Sequence, residues 1–372
     1  MFDTSSWRAP DDDDPEAVKD TLVDLGIYLN NNRVAQHVVH DDLDNAFSQS
    51  RLSDEEKARR RPWIGRRSWP DVIVPIEVKE DHDHSAFEFT SNNGAAFIRS
   101  HSQKGVEAFG QISECISKVF AHQQRTHLYL LYIYRNKARI LYYDRAGAIV
   151  SKWFRYGARN RPDLHRFVWR LAGMSKAERG LDPTASYASK DEITKMRAYA
   201  FSSASTPYIR DCIVRAVCWD VKAHETKRNQ WPVVKLAVGR SKLLVGRPAF
   251  VSQSLVGRCT RGYVAYDLET DDVCFLKDYW RTESPTRVYR EHEIYARLRA
   301  ANVPNINTCQ YGGDVTCDTT VQSTVTQRCA GKMSSRGRVH YRIRIKEVCR
   351  PLTDFTNFRE LTSIILLALD GT

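Results

Sequence analysis

The chain has 372 residues, room for two domains at roughly 150 each, and with 42% hydrophobic and 27% charged residues it is neither wholly disordered nor fibrous. Its longest nearly apolar run, Ile364 to Leu369, falls far short of the about 20 residues that span a bilayer, so no membrane partner is expected. Lysines and arginines number 56 against 45 aspartates and glutamates, a formal charge of +11 that favours polyanionic partners such as nucleic acid or phosphate-rich ligands.

In chain order, Asp11 to Asp14, Pro15 and Glu16 read as an acidic helix start, and Val18, Leu22, Leu25 and Leu29 predict a helix over 15–30. Residues 40–68 are charged and broken, and Arg59, Arg60, Arg61, Arg66 and Arg67 form the densest basic patch, interrupted by Pro62, Trp63 and Gly65. The β-branched run Val72 to Val78 predicts a buried strand, with Pro75 hinting at an edge or bulge. A polar stretch over 81–102 precedes a helix over 104–123 that carries Val106, Phe109, Ile112, Ile116, Val119 and Phe120 on one side. The residues from His127 to Phe154 read as a meander with turns near Arg135-Asn136 and Ala146-Gly147, and a helix over 163–173 follows.

Mixed helical and polar pieces, including the serine-rich 202–206, join this half to strands that resume at Trp231. The expected divisions are an N-terminal helix and loop over 1–60, an α/β domain over 61–175, a helical linker over 176–230 and a second domain over 231–372. No internal repeat is visible. Nine scattered cysteines without a CxxC pair, and an N-terminus with no basic segment before an apolar one, predict reduced thiols in an intracellular protein, cytoplasmic or nuclear. Their spacing offers no zinc site.

The second domain carries three features in order. Gly257-Arg258-Cys259-Thr260-Arg261-Gly262 leads into the strand Tyr263 to Tyr266, and glycines in such a turn let backbone N–H groups approach phosphate. Val273 to Lys277 is a strand ending in a lysine, able to neutralise the phosphates of a nucleotide. Arg290 to Leu298 has a helical pattern and supplies a glutamate to hold that lysine. Fifteen residues separate Gly262 from Lys277, and sixteen separate Lys277 from Glu293. Glu291 is the rival partner; Glu293 is preferred because Ile294 and Leu298 follow it before Pro304.

These segments, with FLKDYWR, YGGDV, HYRIRIKEVCRPL and the earlier IEVK and YYDRAGAIVSKW, resemble the fungal-type protein kinase domain family from about residue 70 onward. The resemblance implies a kinase small lobe, an antiparallel sheet plus one helix, in which Gly257, Thr260 and Gly262 form the phosphate loop. Lys277 would be the nucleotide-binding lysine, Glu293 its helix partner, and Glu347, Val348 and the residues to Leu352 the hinge beside adenine. ATP, with magnesium, is the cofactor so implied, and a protein the substrate or partner. Cys259 departs from the family's usual glycine and crowds the loop. No H-R-D or D-F-G follows Lys277 before Thr372, and Asp354 and Asp370 lack the neighbours to replace them. The expectation is a truncated, kinase-like chain that binds ATP without transferring phosphate.

In the first half, Glu77-Val78-Lys79 after Pro70-Asp71 resembles the PD-(D/E)XK nuclease signature, in which carboxylates hold magnesium and the lysine helps activate water. Glu77 and Lys79 share a strand face, and Gln111 on the next helix is placed to join them. A restriction-endonuclease-like α/β domain is thus expected here, with a magnesium-dependent nuclease as the alternative activity and a non-catalytic scaffold as a third. Asp71 is a poor second ligand, since six residues of strand put it about 20 Å from Glu77. Asp41, Asp42 and Asp44 are other candidates. Asp81-His82-Asp83-His84 reads as a charged loop sooner than a metal site, and the tyrosines of the meander as core sooner than an RNA platform.

Overall fold

The structure, a computed structural model, describes residues 53, 55, 69–89, 97–157, 162–220, 225–226, 231–252, 254–283, 289–329 and 336–369. The expected helix over 15–30, the arginines at 59–67, and Asp41, Asp42, Asp44 and Asp370 lie outside them. The fold is mixed α and β, in two compact units, Met1–Asp182 and Pro183–Thr372.

In the first unit, β1 (Ile76–Lys79) pairs in parallel with β2 (His127–Tyr134), and α1 (Gln103–His122) is the crossover between them. β3 (Lys137–Asp144), β4 (Gly147–Val150) and β5 (Phe154–Arg155) extend the sheet as an antiparallel meander. The strand begins after Pro75, not at Val72, because Trp69–Asp71 forms a 3-10 turn. Gln123 Nε2 donates to the carbonyls of Trp69 (2.6 Å) and Val72 (2.9 Å) and holds that turn. Pro75 cannot donate, but its carbonyl accepts the Leu131 N–H at 3.0 Å, which starts the edge strand.

One face of this sheet carries Val78, Leu131, Ile133 and Ala138 against Leu164, Phe167 and Val168 of α2 (Asp163–Gly173). α1 covers the other with Gly105, Ala108, Ile112, Ile116, Val119 and Phe120 buried at helical spacing. Val106, expected on that inner face, is exposed. Gly105 takes the inner position because the helix start presses on Arg99, whose carbonyl would lie 2.6 Å from any Cβ there. Tyr132, Tyr134 and Tyr143 of the meander are buried, so these rings pack the core and offer no stacking platform.

The second unit begins with β6 (Ala185–Tyr187), α3 (Lys190–Ala200) and α4 (Pro207–Ala216), then a small hairpin of β7 (Trp219–Asp220) and β8 (Glu225–Thr226). β9 (Val234–Val238), β10 (Ser241–Val245), β11 (Phe250–Val251), β12 (Arg261–Asp267) and β13 (Asp272–Thr282) follow. Then come α5 (Glu291–Ala300), β14 (Cys309–Asp314), the pair β15 (Thr316–Cys317) and β16 (Thr320–Val321), β17 (Arg338–Ile345) and α6 (Phe358–Leu369). Eight strands form one sheet in the order β14-β17-β13-β12-β10-β9-β6, with β11 also on β12.

The expected linker over 176–230 divides differently. α3 and α4 belong to the second unit, since Met196, Ala200, Cys212, Ile213 and Ala216 bury against Leu244, Val264 and Tyr266 of the sheet. The serine-rich 202–206 is the turn between them, and Thr206 caps α4 by accepting the Ile209 N–H. The sheet therefore carries several helices where one was expected.

The sheet curls so that one face closes on itself. Arg342 Nη1 donates from β17 to the Ala237 carbonyl of β9 (3.0 Å) and to Thr184 Oγ1 (2.8 Å), and Arg344 Nη1 to Ser241 Oγ (3.0 Å). Leu236, Val238, Leu243, Tyr263, Ala265 and Leu276 fill this concave side. The convex side carries Phe275, Lys277, Tyr279, Tyr341 and Ile343, with Tyr295 of α5 against it. No helix among the described residues is long and apolar enough to cross a membrane.

Candidate functional site

The convex face of β13 brings the expected lysine, a glutamate and the glycine loop together. Lys277 lies in the ladder between Gly262 of β12 and Ile343 of β17, which fixes its backbone on both sides. Its Nζ donates to both carboxylate oxygens of Glu291, each at 2.9 Å. Tyr279, two residues on and therefore on the same face, donates its hydroxyl to Glu291 Oε2 at 2.9 Å. Burial, and next the Glu291 charge, raise the Tyr279 phenol far above its usual range, so it stays a donor.

The preference for Glu293 is thus overturned in favour of Glu291. The sequence pattern misjudged the helix phase. Glu291 opens α5 on the side facing β13, whereas Glu293 turns back to accept the Arg290 N–H at 2.8 Å and caps the helix start. His292 Nδ1 meets the Tyr341 hydroxyl at 2.6 Å and pins the same turn to β17.

The loop between β11 and β12 leans on β13, since the Arg258 carbonyl accepts the Trp280 N–H at 2.8 Å. The Arg258 guanidinium stands 4.8 Å over the Tyr279 ring and 3.8 Å from Glu291 Oε2. Sequence reasoning gave Arg258 and Tyr279 no role; an arginine inside the glycine pattern and a tyrosine two after the lysine were the available signals. Gly257 has φ +102 with open space where a Cβ would stand, so backbone conformation and not crowding calls for glycine there. Gly262 is glycine for another reason: it sits within β12, and a Cβ there would lie 2.7 Å from the Phe275 ring. Cys259 takes φ 44, buries its side chain and places Sγ 3.4 Å from the Leu255 carbonyl. Its thiol thus turns into the loop's own interior. Thr260 anchors the loop base through its carbonyl, which accepts the Ser252 N–H at 2.9 Å.

Glu347 and Val348 follow β17, but the Glu347 carboxylate accepts the Thr308 N–H at 2.7 Å and Val348 packs toward the α3–α4 core. Burial works against ionisation of Glu347, yet the hydrogen bonds from Thr308 hold its pKa below the usual value.

In the first unit, Glu77, Lys79 and Gln111 do converge. Lys79 Nζ lies 2.9 Å from Glu77 Oε1 and donates to Gln111 Oε1 at 2.7 Å. Asp71 is not on the strand at all but in the 3-10 turn, so the strand-length argument against it does not apply. Asp81 accepts the Asp83 N–H at 2.9 Å and meets His84 at 3.0 Å, while Arg99 reaches His82. Among the described residues no three His, Cys, Asp or Glu side chains group as a metal site would need.

Searches of curated proteins and of solved structures each found no match. A family model described as fungal protein kinase matches residues 51–336, most of the chain, so the chain belongs to the fungal protein kinase family.

Proposed function

We propose that the second unit is a kinase-like lobe that binds ATP. The observation that carries this reading is the Lys277–Glu291 pair on the strand and the helix after it, the arrangement with which protein kinases hold the α and β phosphates. The loop at Gly257 supplies a backbone free to approach those phosphates, and Lys277 the charge that meets them. The segment 347–352 would edge the base. Among the described residues no group of carboxylates offers magnesium a site, and the one beside Lys277 is already bonded to that lysine; the metal would enter with the nucleotide. No H-R-D or D-F-G occurs among the 372 residues, so these residues supply binding and not the acid–base and metal groups of phosphoryl transfer.

Thermal melting with ATP tests this. Nucleotide at about 100 times its Kd should add about 2.7 kcal/mol, roughly 5–10 °C for a unit of this size. Lys277→Met should abolish the shift. An unchanged melting temperature at millimolar ATP sinks the proposal.

The convergence of Glu77, Lys79 and Gln111 favours a second reading for the first unit, a magnesium-dependent nuclease in which Lys79 orients the attacking water. It requires cleavage that needs magnesium and disappears in Glu77→Ala. Equal cleavage by both proteins would trace the activity to a contaminant.

A further inference from the structure

α2 of the first unit has two unlike faces. Leu164, Phe167 and Val168 turn into the sheet, as described above. Arg166, Trp169 and Arg170 turn outward, and Trp169 is 78% exposed, with no ring contact to any described residue. An indole left in water at this level is unusual, because Trp is among the most buried residues on average. The side chains of Arg166 and Arg170 form no hydrogen bond or ion pair among the described residues. The only acidic residue of α2, Asp163 at its start, forms no ion pair with either arginine among the described residues. Four residues of helix separate the two arginines by about 6 Å along the axis, with the indole beside their row.

We propose that this face of α2 binds single-stranded nucleic acid. Trp169 stacks on a base, and Arg166 and Arg170 pair with the flanking phosphates. Each component matches what single strands require, an aromatic plane that any base can use and cations that track the backbone. The formal charge of +11 brings such a polyanion to the protein. A membrane fits the face less well. Interfacial helices bury a broad apolar face, and the apolar side of α2 is already spent on the sheet. A protein partner would need further large apolar groups around the indole, and the helix positions beside it are His165, Arg166, Arg170, Ala172 and Gly173, none of them large and apolar.

Fluorescence anisotropy of the full chain with labelled oligo(U) and oligo(dT) tests the proposal, with anionic vesicles as the competing probe. Trp169→Ala should weaken oligonucleotide binding roughly ten- to hundredfold, and Trp169→Phe should restore most of it. Arg166→Gln and Arg170→Gln should each lower the salt slope of log K by about 0.7. Because all three side chains are exposed, the variants should melt with the parent, which separates lost binding from lost fold. Two results overturn the proposal: equal oligonucleotide binding by parent and Trp169→Ala, or Trp169-dependent binding to vesicles alone.

Discussion

Lys277 and Asp278 are neighbours on β13, and the two faces of that strand treat charge in opposite ways. On the concave face Asp278 is fully enclosed and bonded to Arg261 at 2.8 Å and to His340, which stacks flat on Trp280 at 4.7 Å. Gln322 accepts from the other His340 nitrogen at 2.7 Å, and Arg342 lies 3.8 Å from the same carboxylate. On the convex face Lys277 and Glu291 are each about a quarter exposed, and two cations share one carboxylate. Both networks set two cations on one carboxylate, and what separates them is access. The sealed one can only hold structure, whereas the half-open one can exchange a protein partner for a ligand.

The largest effect that tests this contrast comes from the sealed side. Asp278→Asn leaves Arg261 and Arg342 buried without their counter-charge, and should cost the second unit roughly 3–5 kcal/mol in denaturant unfolding. A loss below about 1 kcal/mol would mean that water reaches the cluster. Acid should act at the same place. Burial opposes the Asp278 charge, but His340, Arg261 and Arg342 together hold its carboxyl far below an aspartate's ordinary value of about 3.9. Its contribution is therefore complete above that value and lost as pH falls below it. Parent and Asp278→Asn should differ most near neutrality and converge in acid, which urea titrations from pH 7 to about pH 2 can follow.

The open side should show the reverse. Glu291→Gln removes the partly exposed carboxylate that Lys277 and Arg258 share, and its stability cost should stay near about 1 kcal/mol. Its effect on ATP should be much larger, with most of the ATP-induced melting shift gone as Lys277 loses its anchor. Glu293→Ala should cost about 1 kcal/mol through the helix cap and leave the ATP shift intact. The two glutamates thus separate binding from capping in one experiment. If Glu293→Ala erased the shift and Glu291→Gln did not, the assignment of the pair would be wrong.

Much of this was legible before any coordinates, for reasons that differ by element. The turn at Arg135-Asn136 and the helix over 163–173 follow from short-range signals, periodicity broken by turn residues. The strand expected to end at Lys277 instead runs from Asp272 to Thr282, because pairing with β17 carries it on past the lysine. The convergence of Lys79 with Gln111 was readable because one strand and one helix fix both residues. The Lys277 partner was not, because two glutamates on one helix turn differ only in phase against a strand that tertiary packing positions. The fate of residues 190–216 was hidden likewise. A helix with a buried stripe looks the same whether it bridges two domains or covers one sheet, and only the partners Leu244, Val264 and Tyr266 distinguish the cases. The Asp278 cluster was invisible because Arg261, Asp278 and Arg342 meet only through the register of β12, β13 and β17, and β17 comes to β13 from far along the chain.

The smallest expected effect on stability is the most informative about the loop. Arg258 is well exposed and 3.8 Å from Glu291, so Arg258→Ala should change unfolding by less than about 1 kcal/mol. Its effect on nucleotide is a different question, since Arg258, Lys277 and Glu291 together carry one net positive charge at the mouth of the glycine loop. If that surplus attracts phosphate, Arg258→Ala should weaken ATP roughly three- to tenfold at low salt and much less near 1 M, where screening reaches about 3 Å. If Arg258 acts instead by resting on the Tyr279 ring and holding the loop, the loss should be similar at both salt concentrations, because loop closure carries little long-range charge. Calorimetric titration at the two ionic strengths separates a phosphate cation from a loop latch.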